Sequence, residues 1–506
     1  MEPAAIDRAG PRRKDLLPAA VLFPLAGLAL FLLHAPVLDL PYFWDELGYY
    51  VPAALDFYER GILVPQSTSP NTHPPGLTLW LALVWKLAGC SIPVTRAAML
   101  LVAAAGVAVV YLLAADLAGG ASRGPAWASV LFLLACPLFY TQAMMAQIDM
   151  PAMLLVSLAL LLFLRNRLAW SLLACVALVL VRETAVAAPL VLAAWLAHER
   201  RRRAALLFLV PAALLGAWFL ELHLATREWF GDREFTRVNV LFPLHPVRLP
   251  AAALRRFSWL FLENFHAVGT LAIALAALRT DLYRSRAWRV TLLTGGALAA
   301  SVTLLGGAAL ERYLMPVVPL FYIAAAAALA AWPRRLAQAA AAVMLAGLAV
   351  SHFVNPPLFA FPFENNLAMV DFVRLHQAAA AYLEERNRGE ETLTAWPLTD
   401  ALRRPEFGYV KRSLPVRAVA DFSAAAIGRT PAGGTGWFVL YSREIEPRLS
   451  LSRIPALASL RRAYWGWEPP VTGHCIESRY GMRPVARWER RGQWIEIYRR
   501  AAASAR

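Results

Sequence analysis

Residues 75–89 read PGLTLWLALVWKLAG, and the number of membrane crossings turns on them. The segment is apolar, but it falls short of the roughly 17 to 25 residues that carry a helix across hydrocarbon, and it holds Lys86. The chain around it has 506 residues, 59% hydrophobic and only 17% charged, with a mean hydropathy of +0.49. Soluble domains carry about a quarter charged residues. Here the charges gather in short clusters between long apolar runs. The runs are 16–37, 94–117, 125–140, 151–164, 168–181, 184–197, 204–223, 257–278, 288–310, 313–332 and 336–353. If 75–89 crossed as well, Arg165, Arg167, the 200–203 and 284–289 clusters, Arg334 and Arg335 would all face outward. If it lies in the outer interface, all of them face the cytoplasm, as the positive-inside rule requires. The second reading is adopted. It predicts a polytopic α-helical membrane protein of about eleven spans. Residues 75–89 become an interfacial helix, with Trp80 and Trp85 suited to the headgroup level.

The net charge of +16 is almost all arginine, since lysine occurs only at Lys14, Lys86 and Lys411. The arginines flank apolar runs, so they read as topology signals and no nucleic-acid partner is expected. Cys90, Cys136, Cys175 and Cys475 form neither a disulfide framework nor a metal-type spacing. Arg8, Arg12, Arg13 and Lys14 before the 16–37 run resemble the start of a signal peptide. The run is long and lacks a small-x-small cleavage site, so it is read as an uncleaved first helix with a cytoplasmic N-terminus. The expected location is a bacterial inner (plasma) membrane.

The same parity places residues 38–93, 140–150, 182–183, 224–256 and 311–312 on the outer side, together with everything after 354. The expected division is a transmembrane catalytic module, 1–354, and a soluble extracytoplasmic domain, 355–506. That domain has 22 basic and 15 acidic residues and no long apolar run. An amphipathic helix is predicted over 371–388, and short strands over 391–396 and 436–441. A hairpin joins 484–489 to 493–498 through a turn containing Gly492. The domain is therefore read as small and α/β. Tyr464, Trp465 and Trp467 would stack on a sugar or sit in a core, as such aromatics more often do.

Residues 41–50, PYFWDELGYY, set Asp45 and Glu46 just past the outer end of the first helix. A capping acid with interfacial aromatics gives the same string. The context adds to it. A short amphipathic helix is expected over 55–60, and Thr72-His73-Pro74-Pro75-Gly76 opens the interfacial helix. Asp149 stands at an outer helix start before Pro151, where an N-cap would also stand. Three acids thus share one side of the membrane. Arg182, beside Glu183, and Arg312, beside Tyr313, supply cations there; an interface anchor, or for Arg182 a local pair with Glu183, is the plainer reading. Glu263 and His266 lie three apart within the 257–278 run. They are candidate metal ligands, or a satisfied polar pair.

The acidic pair after the first helix, the "HPP" helix, the later outer acid and Arg312-Tyr313-Leu314-Met315-Pro316-Val317-Val318-Pro319 resemble the GT-C membrane glycosyltransferases. They are similar to the protein O-mannosyltransferase and aminoarabinose transferase type, glycosyltransferase family 39 and its bacterial neighbours. The resemblance covers roughly residues 15–335 and leaves out the C-terminal domain. It implies a polyprenyl-phosphate-linked sugar as donor, inversion at the anomeric carbon, and Asp45 as catalytic base. Glu46 and Asp149 would orient the acceptor or Asp45, or hold a divalent ion. Arg182, Arg312 and Tyr313 would bind the lipid phosphate, while His73 and Tyr49 position the acceptor or its loop. The family has a lysine in a "TK" pair near the place of Arg182, so this chain departs from the pattern there. The chemistry agrees with one base. A lipid phosphate leaves as a stable anion, so only the acceptor hydroxyl needs deprotonation. The expected partners are the lipid-linked sugar, the bilayer and an extracytoplasmic lipid, glycan or protein; no cofactor is required beyond an optional divalent ion.

Two other classes compete. A transporter or lipid flippase predicts inverted repeats and broken helices, and neither is read in this sequence. A sensor or assembly protein would leave the acidic first loop without a task.

Overall fold

The computed structural model describes residues 13–119, 123–307, 310–356, 362–431, 433–445 and 454–500. Arg8, Arg12 and residues 308–309 of the expected 288–310 span lie outside the described residues. The chain forms two compact units. The first takes the N-terminal segment to Ala35, Ala53–Gly89 and Val94–His352; the second takes Pro36–Pro52, Cys90–Pro93 and the chain from Phe353 onward.

The first unit is helical. Among the described residues, Ala20–Val37, Ile92–Leu117, Arg202–Thr226 and Arg286–Leu305 are long and apolar enough to cross a membrane. Two bent pairs raise the number to six if each is one span. Shorter apolar helices are Gly76–Ala88, Asp149–Leu164, Leu168–Val181, Glu183–His198 and Val318–Ala330. Val318–Ala330 is almost wholly buried and packs against Gly124–Ala135 and His266–Arg279.

Two expected continuous spans are corrected. The 125–140 run breaks into Gly124–Ala135 and Pro137–Met144, bent by 69°. Proline lacks the N–H and crowds the preceding turn, so Cys136 before it turns extended (φ −68°, ψ 121°). The 257–278 run breaks into Arg248–Phe261 and His266–Arg279, bent by 88°. There Asn264 and Phe265 adopt left-handed backbone (φ 51° and 63°), which ends one helix and starts another in a new direction. The break also means that Glu263 and His266 do not share a helical face.

The second unit carries a five-stranded mixed sheet. Its strands are β1 (Glu391–Ala395), β2 (Val416–Val419), β3 (Thr435–Tyr441), β4 (Met482–Arg490) and β5 (Gln493–Arg500), in the order β2-β1-β3-β5-β4. β1 pairs in parallel with β2 and β3, while β5 pairs antiparallel with β3 and β4. The β4–β5 hairpin closes through Arg491 and Gly492, both at positive φ (45° and 81°), as a tight hairpin turn demands. Helix Ala368–Arg386 packs on β4 and β5, and Gln493 Nε2 donates to the Ala368 carbonyl at 2.8 Å. The expected helix, strands and hairpin are present within a few residues. β2 and the short helices Leu398–Arg403, Ala424–Arg429, Pro455–Trp465 and Gly473–Tyr480 were not expected.

Segment Pro36–Pro52 belongs to this unit. Tyr42 N donates to the Phe407 carbonyl at 3.3 Å, and Tyr409 Oη donates to the Tyr42 carbonyl at 3.0 Å. Trp44 packs against Trp396 (ring centroids 5.1 Å apart) and Phe372 (5.5 Å).

Candidate functional site

An ionic cluster lies at the helix ends of the first unit. Asp149 opens helix Asp149–Leu164, with Ile148 in the capping position, so its side chain is free of N-cap duty. Arg182 Nη1 donates to Asp149 Oδ1, and Arg312 Nη1 donates to Oδ2 at 3.4 Å. One carboxylate thus meets two guanidinium groups, and the three residues are 0%, 3% and 1% exposed. A buried charge is tolerable only when paired and hydrogen-bonded in this way. Arg182 Nε also donates to Thr184 Oγ1 at 3.0 Å.

Tyr313 draws the cations together. Its ring centroid lies 4.9 Å from the Arg182 guanidinium carbon, 5.4 Å from that of Arg312 and 5.9 Å from that of Arg256. Cations at this range are attracted to the face of an aromatic ring. Arg255 Nε donates to Glu311 Oε1 at 2.7 Å. The four arginines are met by Asp149 and Glu311, with Glu183 beside Arg182 and Glu263 within electrostatic reach of Arg255.

Glu183 turns toward another element. Its Oε2 lies 2.9 Å from His73 Nδ1, which ties the segment before helix Gly76–Ala88 to the arginine-bearing turn. Trp218 Nε1 donates to the neighbouring Thr72 carbonyl at 3.0 Å. A Cβ at Gly76 would stand 2.5 Å from the Leu180 carbonyl oxygen, so only glycine permits this close approach.

Asp45 and Glu46 lie in the second unit. Trp44 takes left-handed backbone (φ 46°), and a π-helical turn, Glu46–Tyr50, follows and runs into helix Val51–Arg60. Glu46 is fully buried, and its Oε2 accepts from the Phe43 N–H at 2.8 Å, locking the turn. Asp45 is half-buried, as is Tyr49 on the π-helical turn. Gly48 lies against Trp396, with 2.6 Å between a built Cβ and the ring.

The metal candidates do not fit that duty. Glu263 Oε1 accepts from Ser258 Oγ at 2.9 Å. His266 Nδ1 lies 3.0 Å from the Trp259 carbonyl and Nε2 lies 2.9 Å from Tyr322 Oη. A carbonyl only accepts, so Nδ1 carries the proton and Tyr322 donates to Nε2. Both ring nitrogens are committed. Among the described residues no three His, Cys, Asp or Glu side chains gather as a metal site.

Arg255, Arg256 and the His73–Glu183 pair were not singled out from sequence. A signal existed: Arg255 and Arg256 end a segment assigned to the outer side by a rule that keeps arginines inside.

No protein-family model matches the chain, and no curated protein does. Solved structures do. ArnT from Cupriavidus metallidurans bound to undecaprenyl phosphate matches with a TM-score of 0.54 at 15% identity, over 94% of this chain and 97% of that one. The apo state of the same protein matches with a TM-score of 0.52 at 14% identity, over 95% and 98%. The fold is similar to that of ArnT over nearly the whole chain, including the C-terminal domain that the sequence motifs left out.

Proposed function

We propose that this protein is an inverting glycosyltransferase of the bacterial inner membrane, moving a sugar from a polyprenyl phosphate to an extracytoplasmic acceptor. The observation that carries the reading is the buried cluster around Tyr313, where three guanidinium groups approach one ring and two of them share the Asp149 carboxylate. Guanidinium forks gathered in one place suit phosphate oxygens. Arg182 and Arg312 bind the donor phosphate, with Arg256 added to the set, and Asp149 fixes their orientation. The fold likeness to an undecaprenyl-phosphate-bound protein supports a lipid-phosphate donor.

Asp45 is the base. It takes the proton from the acceptor hydroxyl as that oxygen attacks the anomeric carbon. The bond from this carbon to the phosphate oxygen breaks, and the polyprenyl phosphate leaves with the electron pair. Attack opposite the leaving group inverts the anomeric centre. Arginines already fixed on the leaving phosphate need no rearrangement as its charge develops. Glu46 positions Asp45 by holding the turn, and His73 with Glu183 positions the arginine-bearing segment.

The membrane arrangement goes with this reading: about eleven spans, a cytoplasmic N-terminus, a catalytic module over 1–354 and a periplasmic domain over 355–506. The test is incubation of purified protein with radiolabelled polyprenyl-phosphate sugars and an envelope extract. Label should move to an envelope acceptor with inversion, and a folded Asp45→Asn variant should not move it. Full transfer by that variant would sink the assignment. The two bent helix pairs favour one second reading, a transporter or flippase. Vesicles that translocate the lipid-linked sugar without transferring it would establish that reading instead.

A further inference from the structure

A cavity of about 500 Å³ opens in the first unit between residues 61–66, with Pro70, and the last turn of helix Val210–Thr226. That volume is in the range of small-molecule sites, roughly 300–1,000 Å³.

One wall is irregular chain held on several sides. Buried Asp56 accepts from the N–H groups of Gln66 and Ser67 at 2.7 and 2.8 Å. The Pro70 carbonyl accepts from Asp232 N at 2.9 Å, and Asn71 bridges to Gly231. The facing wall is helical and presents Glu221, Ala225 and Thr226. Such a cavity is already shaped before any ligand arrives, which lowers the cost of binding.

Its exposed polar groups suit hydroxyls, since the Glu221 carboxylate accepts and the Gln66 amide both accepts and donates. Among the described residues, the Glu221 carboxylate and the Gln66 side-chain amide make no hydrogen bond or ion pair. Pro65 and Pro70 have no N–H to offer. No cation or aromatic ring lines the space. A carboxylate repels anions and does not suit a lipid tail, but it accepts strongly from hydroxyl groups. The cavity is also joined to the ionic cluster. Trp218, on the same helix as Glu221, holds the Thr72 carbonyl, and the next residue, His73, is held by Glu183 beside Arg182.

We propose that this cavity binds the saccharide portion of the acceptor, a neutral polyhydroxylated glycan, through Glu221 and Gln66. The acceptor role rests on the transferase reading above; the saccharide specificity rests on the cavity itself.

The test uses full-length protein in lipid nanodiscs and saturation-transfer NMR with methyl β-D-glucoside, N,N′-diacetylchitobiose and glucose 6-phosphate. The two neutral sugars should give signals and the phosphate ester none. Glu221→Ala and Ala225→Trp, both at the open wall, should each reduce the neutral-sugar signals at least tenfold. No neutral-sugar signal in the unaltered protein, or signals unchanged in both variants, would overturn the proposal. Undecaprenyl phosphate binding is measured on the same samples and should be equal in all three proteins. Its absence throughout, with sugar binding intact, would remove the transferase reading and leave the saccharide site standing.

Discussion

Asp149 belongs to the helical unit and Asp45 to the unit that carries the sheet. As sequence they are two acids near outer helix ends, and the structure treats them in opposite ways. Asp149 is sealed from solvent with each oxygen on a guanidinium group. Asp45 is half-buried, and the neighbouring carboxylate of Glu46 is spent on a backbone N–H. One acid is fixed between two guanidinium groups; the other stands on a turn that a Glu46–backbone hydrogen bond holds. A carboxylate with both oxygens committed to arginines has none left to receive a substrate proton. On the proposed reading the two acids that the sequence grouped as one catalytic set take two roles, Asp149 a fastener and Asp45 a base.

The largest expected effect falls on Asp45. Asp45→Asn should lower transfer by about 10²- to 10⁴-fold, the contribution of a general base. Thermal stability and undecaprenyl phosphate binding should stay unchanged in that variant. The opposite pattern is expected at Asp149. Asp149→Asn leaves two buried arginines short of their counter-ion and should cost about 3–5 kcal/mol of stability, read as a lower melting temperature of the purified protein. If Asp149→Asn were stable yet inactive, the two roles would not be distinct.

The sheet-bearing unit offers a pH handle of its own. Burial holds the His376 imidazole down at about 4, against an ordinary value of about 6.5. Above the ordinary value neither state takes a proton. Between the two values the unfolded chain binds a proton that the folded unit refuses, so stability falls by up to about 3 kcal/mol as pH drops. Melts between pH 7 and 4 should show that fall, and His376→Phe should remove it. The smallest effect is expected at Gly48. Gly48→Ala drives a methyl into the Trp396 ring and should cost about 1–3 kcal/mol. It should reduce transfer while donor binding stays intact, because the displaced turn carries Asp45 and not the arginines.

Much of this was legible because membrane spans and arginine clusters are one-dimensional signals. The hairpin around Gly492 and the 371–388 helix were legible for the same reason, since their patterns are local. The helix breaks were less so. Pro137 announced one, but an apolar run hides it, and nothing in Asn264-Phe265 marks a reversal before the backbone is seen. Pairings across long stretches of chain were beyond reach. Arg182 sits beside Glu183 in sequence, yet it bonds Asp149, while Glu183 bonds His73. Periodicity says which residues face inward and is silent on which charge each one meets. Residues 75–89 form a helix of 13 residues, Gly76–Ala88, the same length as Val318–Ala330 within an expected span.

The interleaving of the two units bears on how the protein is made. The chain passes from one unit to the other five times. Segment Pro36–Pro52 leaves the ribosome early, while Phe407, Tyr409 and Trp396, which it packs against, come much later. At about 5–20 residues per second, the roughly 350 residues between them represent some tens of seconds of synthesis. Throughout that delay the segment lacks its contacts with Trp396, Phe407 and Tyr409. A chain cut before the sheet could insert its helices yet never set the turn, and a fragment beginning at Asn355 would fold, if at all, without two of its own pieces. Activity should therefore appear only when translation is complete, whatever the order in which the helices enter the bilayer.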